Sequence, residues 1–86
     1  MGQKEIVIGI KEGMEARPVA MLVQIASGFK SQISILYNGR TVNAKSIMGM
    51  MSLGIAPGEK ITIITEGKDE EEAMDSLVKY LSGEDK

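Results

Sequence analysis

Two short stretches of this chain hold side chains that could do chemistry, and the first begins at Ser46. This serine opens the largely apolar segment 47–53, which Gly54 closes. At the start of a helix, a serine hydroxyl can cap the first turn, because its oxygen accepts a hydrogen bond from a backbone amide. The same hydroxyl could also accept a phosphate, since a helix N-terminus stabilises the added negative charge. Lys45 could then pair with that phosphate, although a cap is the simpler interpretation of the pattern.

The second stretch places a carboxylate and a guanidinium, those of Glu15 and Arg17, immediately before Pro18. Proline is well tolerated in the first turn of a helix, so a helix should begin near Ala16. Free amides at such a start bind anions, and the planar fork of Arg17 suits phosphate. Alternatively, Glu15 is only the acidic group that a helix start favours.

The side chains that are missing narrow the chemistry further. The 86 residues include no histidine and no cysteine, and the formal net charge is -2. The usual general base, the thiol nucleophile and most transition-metal ligands are therefore absent, so no catalytic residue, cofactor or metal site is predicted. A slightly acidic chain is also a poor match for direct nucleic-acid binding, which needs a basic surface.

Length and hydropathy predict one small domain that spans residues 1–86. The chain has no run of about 18 apolar residues, which is what a membrane-spanning helix requires. The short apolar run at 6–10 has charged residues on both sides and does not resemble a signal peptide. We therefore expect a cytoplasmic protein without membrane contact.

The elements that must position these two stretches follow from hydrophobic periodicity. Strands are predicted at residues 3–10, 32–37, 40–44 and 60–66, with a turn at 11–13. Asn38 and Gly39 form a strong two-residue hairpin signal, so the second and third strands should be antiparallel neighbours. Helices are predicted from about residue 16 to 27, over 46–53 and from about 69 to 82. The order β-α-β-β-α-β-α indicates an α+β open-faced sandwich, a four-stranded antiparallel sheet with three helices on one face.

The two longer predicted helices each carry one apolar stripe at the spacing of a buried helix face. The stripes are Val19, Leu22, Val23 and Ala26 in the first helix and Ala73, Leu77, Val78 and Leu81 in the last. Asp69 should cap the last helix, and Glu72 would complete a capping box. The acidic run 69–72 is then explained by compensation of the helix dipole rather than by a ligand.

The short helix differs, because it is apolar on more than one face. Ile47, Met50 and Met51 should share one face, whereas Met48, Ser52 and Ile55 turn towards another. One small core cannot cover both faces, so part of this helix should meet solvent or a partner. Methionine is unbranched and polarisable, which suits an adaptable docking surface. The alternative is that Met48 and Met51 belong to the core.

Three motifs resemble the HPr family, the histidine-containing phosphocarrier proteins of the sugar phosphotransferase system. The motifs are Gly13-x-x-Ala16-Arg17-Pro18-x-Ala20, Asn38-Gly39 and Asn43-Ala44-Lys45-Ser46-Ile47-Met48-Gly49-x-Met51-Ser52-Leu53. The resemblance covers nearly the whole chain and implies the β-α-β-β-α-β-α open sandwich. It also implies a phosphate-carrying histidine at position 15, where this chain has Glu15. The family's phosphohistidine transfer is therefore not expected.

The serine motif is intact, and it is similar to the catabolite-repression branch of the family, Crh, which has lost the histidine. The resemblance implies that Ser46 is phosphorylated by the HPr kinase/phosphorylase of Gram-positive bacteria. The phosphorylated protein would then act as corepressor of a catabolite control protein, a LacI-type transcription factor. The residues that would form the surface presented to this partner are Arg17, Met21, Ile47, Met48 and Met51. That branch usually carries glutamine at position 15, so Glu15 departs from it too.

Further interpretations fit the same residues. Glu15 could accept phosphate as an acyl phosphate, which would make the chain a phosphocarrier. The chain could instead be an HPr whose active-site residue was altered, or an interaction module that is never phosphorylated. The Glu15 carboxylate could also partly imitate phosphohistidine, with about one negative charge instead of nearly two. The first strand could pair with a second copy if it lies at an open sheet edge, which would give a homodimer.

Overall fold

The computed structural model describes residues 1–11 and 13–83, and this part of the chain forms four strands and three helices. The strands are β1 (Gly2–Val7), β2 (Gln32–Tyr37), β3 (Arg40–Asn43) and β4 (Lys60–Glu66). The helices are α1 (Ala16–Ser27), α2 (Ile47–Met51) and α3 (Glu70–Leu81). The predicted order β-α-β-β-α-β-α is confirmed. The turn predicted at 11–13 includes residue 12, which lies outside the described residues.

The strands form one antiparallel sheet in the order β1-β4-β2-β3, so β1 and β3 lie at its edges. The central strand β4 pairs Ile61 with Ile6 of β1, and Ile63 with Ile35 of β2. Ile61, Ile63 and Thr65 are buried, while the residues between them are partly exposed. This alternation is that of a sheet with one face against the core, and it confirms the predicted open-faced sandwich.

Helix α3 packs on β1 and β4 and against α1, so the two long helices supply the other half of the core. Burial of a leucine such as Leu22 stabilises the fold by about 1.5–3 kcal/mol. Among the described residues, no helix has the length and apolar character needed to cross a bilayer. The fully buried members of the two predicted stripes are Val19, Leu22, Ala26, Ala73, Leu77 and Leu81, with Val23 and Val78 partly buried at the margin.

Strand β1 ends at Val7, so it is shorter than the predicted span 3–10. The backbone of Ile8 still bonds to the turn before β4, through Glu59 at 2.9 Å and Gly58 at 2.8 Å. The next amide, that of Gly9, instead donates to the carbonyl of Leu81 at the end of α3, at 2.8 Å. The chain therefore leaves the sheet to meet α3. Only glycine allows this approach, since a Cβ on Gly9 would collide with the backbone at the end of α3.

The hairpin between β2 and β3 is the one that the sequence predicts. Asn38 has a φ of 54° and Gly39 a φ of 81°, which are the left-handed conformations of a type I′ turn. The antiparallel register runs from Tyr37 opposite Arg40 to Ser34 opposite Asn43. The turn thus places β3, and the α2 segment that follows it, beside one edge of the sheet.

The prediction that Asp69 and Glu72 cap α3 is wrong. Asp69 lies at the N-cap position, but its side chain makes no hydrogen bond to the helix. Its carboxylate instead accepts hydrogen bonds from the Lys30 amide at 2.8 Å, from the Ser31 amide at 2.9 Å and from the Ser31 hydroxyl. These bonds connect the start of α3 to the segment just before β2. The hydroxyl of Ser31 and then the amide of Lys30 hold the pKa of Asp69 below its ordinary value of 3.8.

The first carboxylate of α3, that of Glu70, also has specific partners. It accepts a hydrogen bond from the Gly67 amide at 3.1 Å and pairs with the Met1 ammonium at 2.9 Å. The N-terminal ammonium and the Gly67 amide lower the pKa of Glu70. The predicted role of the acidic run as dipole compensation therefore leaves out part of its function, which is to tie β1 and the preceding turn to α3.

The lowered pKa of Asp69 predicts that the protein loses stability in acid. Because its pKa is lower in the folded than in the unfolded chain, its contribution is complete above about pH 4 and is lost as the pH falls through the folded pKa. We expect an Asp69→Asn variant to be less stable than the wild type at pH 7, but to lose less of its urea midpoint on acidification. Urea unfolding at a series of pH values measures both effects.

The matched control is Asp75→Asn, which changes an exposed aspartate of the same helix. Glu59 and Glu70 also have lowered pKa values, and both remain in all three proteins. The difference between the wild type and Asp69→Asn therefore isolates one carboxylate. Equal losses of stability in acid for the wild type and Asp69→Asn would contradict this account.

Candidate functional site

Ser46 caps α2, as predicted. Its hydroxyl oxygen accepts a hydrogen bond from the amide of Gly49 at 3.1 Å, and its carbonyl accepts one from the amide of Met50 at 3.0 Å. The backbone at Ser46 is extended, with φ -108° and ψ 114°, which is the usual conformation of an N-cap residue. The side chain is half-buried. The candidate phosphate acceptor is thus held in place by the first turn of the helix that it starts.

The other end of α2 is held by Ser52 and Arg40. The Ser52 hydroxyl donates to the carbonyl of Gly49 at 2.7 Å. The guanidinium of Arg40, from β3, donates to the carbonyl and to the hydroxyl of Ser52, both at 3.2 Å. Sequence patterns do not predict this role of Arg40, because its partner Ser52 is 12 residues away and belongs to a different element. The helix itself spans five residues and is shorter than the predicted 46–53.

Helix α2 presents most of its apolar side chains to solvent. Met50 is completely buried, whereas Met48 is 82% exposed, Ile47 49% and Met51 45%. Ile47, Met50 and Met51 stand at i, i+3 and i+4 in α2, the spacing predicted for one helix face, but only Met50 of the three is buried. The alternative that Met48 and Met51 are core residues is wrong, because both are exposed. The segment buries its next apolar side chains, Leu53 among them, only after the helix has ended.

A glycine in the middle of this short helix keeps the serine uncovered. Glycine costs about 1 kcal/mol relative to alanine in a helix interior, so it needs a reason. A Cβ on Gly49 would lie 3.2 Å from the hydroxyl oxygen of Ser46 and 3.5 Å from the Cβ of Val42. The absence of a side chain leaves room around the hydroxyl.

The second predicted stretch starts α1. Glu15 occupies the N-cap position, where its carbonyl accepts a bond from the Val19 amide at 2.9 Å but its side chain caps nothing. Arg17 is exposed, and Met21, one turn further along the helix, is 45% exposed. Within residues 1–11 and 13–83, neither the Glu15 carboxylate nor the Arg17 guanidinium has a hydrogen-bond or ion-pair partner. Both charged groups are available to a ligand.

The fold brings the two stretches together. Helices α1 and α2 pack against each other. The residue before Glu15 is also tied to the segment after α2, because the amide of Met14 donates to the carbonyl of Ile55 at 2.9 Å. Gly13 has a φ of 67°, and a Cβ there would lie 2.8 Å from that same carbonyl oxygen. The start of α1 is therefore fixed relative to α2.

The Lys45 ammonium binds a backbone carbonyl rather than the Ser46 hydroxyl. Its ammonium donates to the carbonyl of Phe29 at 2.8 Å, and its backbone amide donates to the side chain of Asn43, also at 2.8 Å. In this structure the lysine connects the segment after β3 to the segment after α1, and its pairing with a phosphate on Ser46 stays a prediction. In the described part of the chain, no three acidic, histidine or cysteine side chains are arranged to hold a metal ion.

Comparison with known proteins connects this geometry to a family. The family model described as "PTS HPr component phosphorylation site" matches residues 2–83. The chain belongs to the HPr family. A curated relative, the HPr-like protein Crh of Halalkalibacterium halodurans, is 50% identical over 98% of this chain and 100% of its own length. The family assignment predicted from the motifs is confirmed.

Solved HPr-family structures have the same fold. The crystal structure of the phosphocarrier protein HPr from Bacillus anthracis is 51% identical, with a TM-score of 0.91 over 93% of this chain and 95% of that one. The crystal structure of Crh from Bacillus subtilis is 42% identical, with a TM-score of 0.78 over 96% of this chain and 95% of that one. That Crh crystallised as an intertwined dimer with a swapped domain.

The cap geometry predicts a stability effect at Ser46. Replacement by alanine removes the acceptor for the Gly49 amide, so we expect Ser46→Ala to destabilise the fold by about 1 kcal/mol. Urea unfolding measures the difference. The control is Ser27→Ala, at the exposed end of α1, which should change stability by no more than about 0.5 kcal/mol. A Ser46→Ala variant as stable as the wild type would contradict the capping role.

Proposed function

We propose that this chain is a non-enzymatic regulatory protein of the Crh type, phosphorylated on Ser46 in the cytoplasm by an HPr kinase/phosphorylase. In the phosphorylated form it acts as corepressor of a LacI-type catabolite control protein. The observation that carries the proposal is the Ser46 hydroxyl at the N-cap of α2, in a chain whose α1 starts with Glu15 instead of histidine.

The absence of histidine decides against the family's carrier role. Phosphohistidine transfer needs an imidazole, and the 86 residues contain none. The charged groups at the start of α1 are Glu15 and Arg17, and neither can form a phosphohistidine. A role in signalling requires only a phosphate acceptor and a surface that reports its state.

Phosphorylation would add negative charge at a hydroxyl that already accepts a hydrogen bond from an amide of its own helix. The Gly49 amide now donates to a neutral hydroxyl oxygen. A phosphate would bring a charge of about -1.5 to -2 and three strong acceptor oxygens to the same helix end. The added charge is stabilised there, so modification leaves α2 folded and changes what a partner meets. A partner arginine could then form charge-assisted hydrogen bonds to the phosphate.

The proposed docking surface consists of Arg17 and Met21 on α1 and Ile47, Met48 and Met51 on α2. Arg17 and Met21 lie one turn apart, so they share a face of α1. The α2 side chains supply exposed apolar area next to the phosphate acceptor. Apolar contacts provide the binding area, and the phosphate decides whether binding occurs.

A homodimer is part of the proposal. Strand β1 lies at an edge of the sheet and pairs with β4 alone. Its outer edge leaves backbone groups free for a second copy, and the related Crh of Bacillus subtilis exchanges a segment between two chains. Sedimentation velocity over a range of concentrations would reveal the dimer.

The first test is phosphorylation. The purified chain is incubated with ATP and an HPr kinase/phosphorylase, and its intact mass and peptide map are measured. We expect one added phosphate, located on Ser46. Ser46→Ala should receive none, while the control Ser27→Ala should be modified like the wild type. Phosphorylated protein should then bind the catabolite control protein at least about tenfold more tightly than unmodified protein.

The outcomes separate the parts of the proposal. No phosphate on the wild type would leave Ser46 as a helix cap only. A phosphate on Ser46 with no gain in affinity would keep the modification and remove the transcription-factor partner. If Ser46→Ala still received a phosphate, the acceptor would be another residue.

Glu15 has its own test through the isosteric variant Glu15→Gln. If the carboxylate imitates phosphohistidine, losing its charge should alter affinity for at least one partner by about fivefold or more. Unchanged affinities would end that hypothesis. An acyl phosphate on Glu15 would be released by hydroxylamine and absent from Glu15→Gln. If Glu15→His restored phosphoryl transfer in the sugar phosphotransferase system, the chain would be an HPr altered at its active site.

A further inference from the structure

Exposed methionines dominate the proposed docking surface. Met48 is 82% exposed, and Met21 and Met51 are each about half-exposed. In contrast, Met14 and Met50 are buried in the core. The chain contains no cysteine, so methionine thioethers are its only oxidisable sulfur atoms. An oxidant that reaches this protein therefore meets the docking surface before the core.

The chemistry available at these side chains is reversible. A thioether sulfur attacks one oxygen of hydrogen peroxide, so that an S–O bond forms and the O–O bond breaks. The sulfur is oxidised by two electrons to a sulfoxide, and the peroxide is reduced to one molecule of water. Methionine sulfoxide reductases reverse the change with two electrons from a dithiol, which becomes a disulfide while the oxygen leaves as water, and one enzyme acts on each sulfoxide epimer. The product is a polar, chiral side chain in place of an apolar one.

We infer that Met48 is a reversible oxidation site, and that its sulfoxide weakens the docking of the phosphorylated chain to its partner. The inference rests on the function proposed above. A sulfoxide oxygen in the apolar contact must lose its water on binding without gaining a donor, which opposes association. The docking surface would then combine two inputs, a phosphate on Ser46 that promotes binding and an oxygen on Met48 that opposes it.

Oxidation of Met48 leaves the helix intact. The side chain points into solvent, and the backbone carbonyl of Met48 accepts a bond from the Ser52 amide at 3.1 Å that does not involve the sulfur. The neighbouring Met50 is fully buried, and a sulfoxide there would disrupt the core. Burial protects Met50, so low doses of oxidant should alter the surface without unfolding the protein.

The experiment uses the chain phosphorylated on Ser46 and then treated with graded hydrogen peroxide. Tandem mass spectrometry assigns each sulfoxide, and titration with the catabolite control protein measures affinity. Met1 is 78% exposed and precedes β1, at the opposite edge of the sheet from β3 and α2, and its ammonium pairs with Glu70. Its oxidation therefore reports the dose away from the docking surface. We expect Met48 to oxidise about as fast as Met1 and well before Met50. Affinity should fall at least about fivefold.

The matched variant is Met48→Leu, which keeps an apolar side chain of similar volume. It should bind before treatment and keep its affinity after a dose that oxidises Met1. Sulfoxide reductases should restore the affinity of the treated wild type. Equal losses in Met48→Leu and wild type, or full affinity with Met48 oxidised, would overturn the inference and leave the proposed function standing. Failure of the untreated phosphorylated chain to bind would overturn both.

Discussion

A five-residue helix makes too few internal hydrogen bonds to be stable by itself, so α2 depends on the bonds that hold its two ends. Ser46 accepts the Gly49 amide at one end, and Ser52 and Arg40 hold the last turn at the other. The hydroxyl that starts the helix is also the candidate phosphate acceptor. A phosphate placed there would meet the Gly49 amide, which already binds an oxygen, so the proposed modification would leave the helix folded.

The shortness of α2 also explains its exposed surface. With one residue, Met50, inserted into the core, the remaining apolar side chains have no core to enter. A chain that needed only stability would place polar residues there, since exposed apolar area favours association. The neighbouring α1 adds a free guanidinium and a half-exposed methionine. Folding alone does not explain Gly49 and the outward methionines, and the docking surface proposed above would use both.

The starts of α1 and α2 differ in the chemistry that they offer. At α1, Glu15 leaves the cap position without a side-chain bond and without the nucleophile that phosphohistidine chemistry needs. At α2, the cap is complete and its hydroxyl has room around it. Lys45, the basic residue nearest in sequence to Ser46, is engaged with the carbonyl of Phe29. Positive charge for a phosphate on Ser46 would then come from another group, such as the free guanidinium of Arg17 on the neighbouring helix, or from a partner.

Local sequence patterns predicted the structure correctly wherever it depends on residues that are close together in the chain. The periodicity of β2 and β4, the Asn38-Gly39 turn, the stripes of α1 and α3 and the cap at Ser46 are all determined within a few residues, and all were predicted. The sequence alone likewise shows that position 15 is a glutamate and that the chain has no histidine. Tertiary structure decided the rest, because its bonds join residues far apart in sequence. Asp69 turns from its own helix to Ser31, 38 residues away, and Arg40 reaches Ser52 across 12. After β1 the chain leaves the sheet at Gly9 and bonds to the end of α3. Of the methionines in α2, only one is buried in the core. Such choices depend on which groups the folded chain brings within hydrogen-bond reach, and no local pattern contains that information.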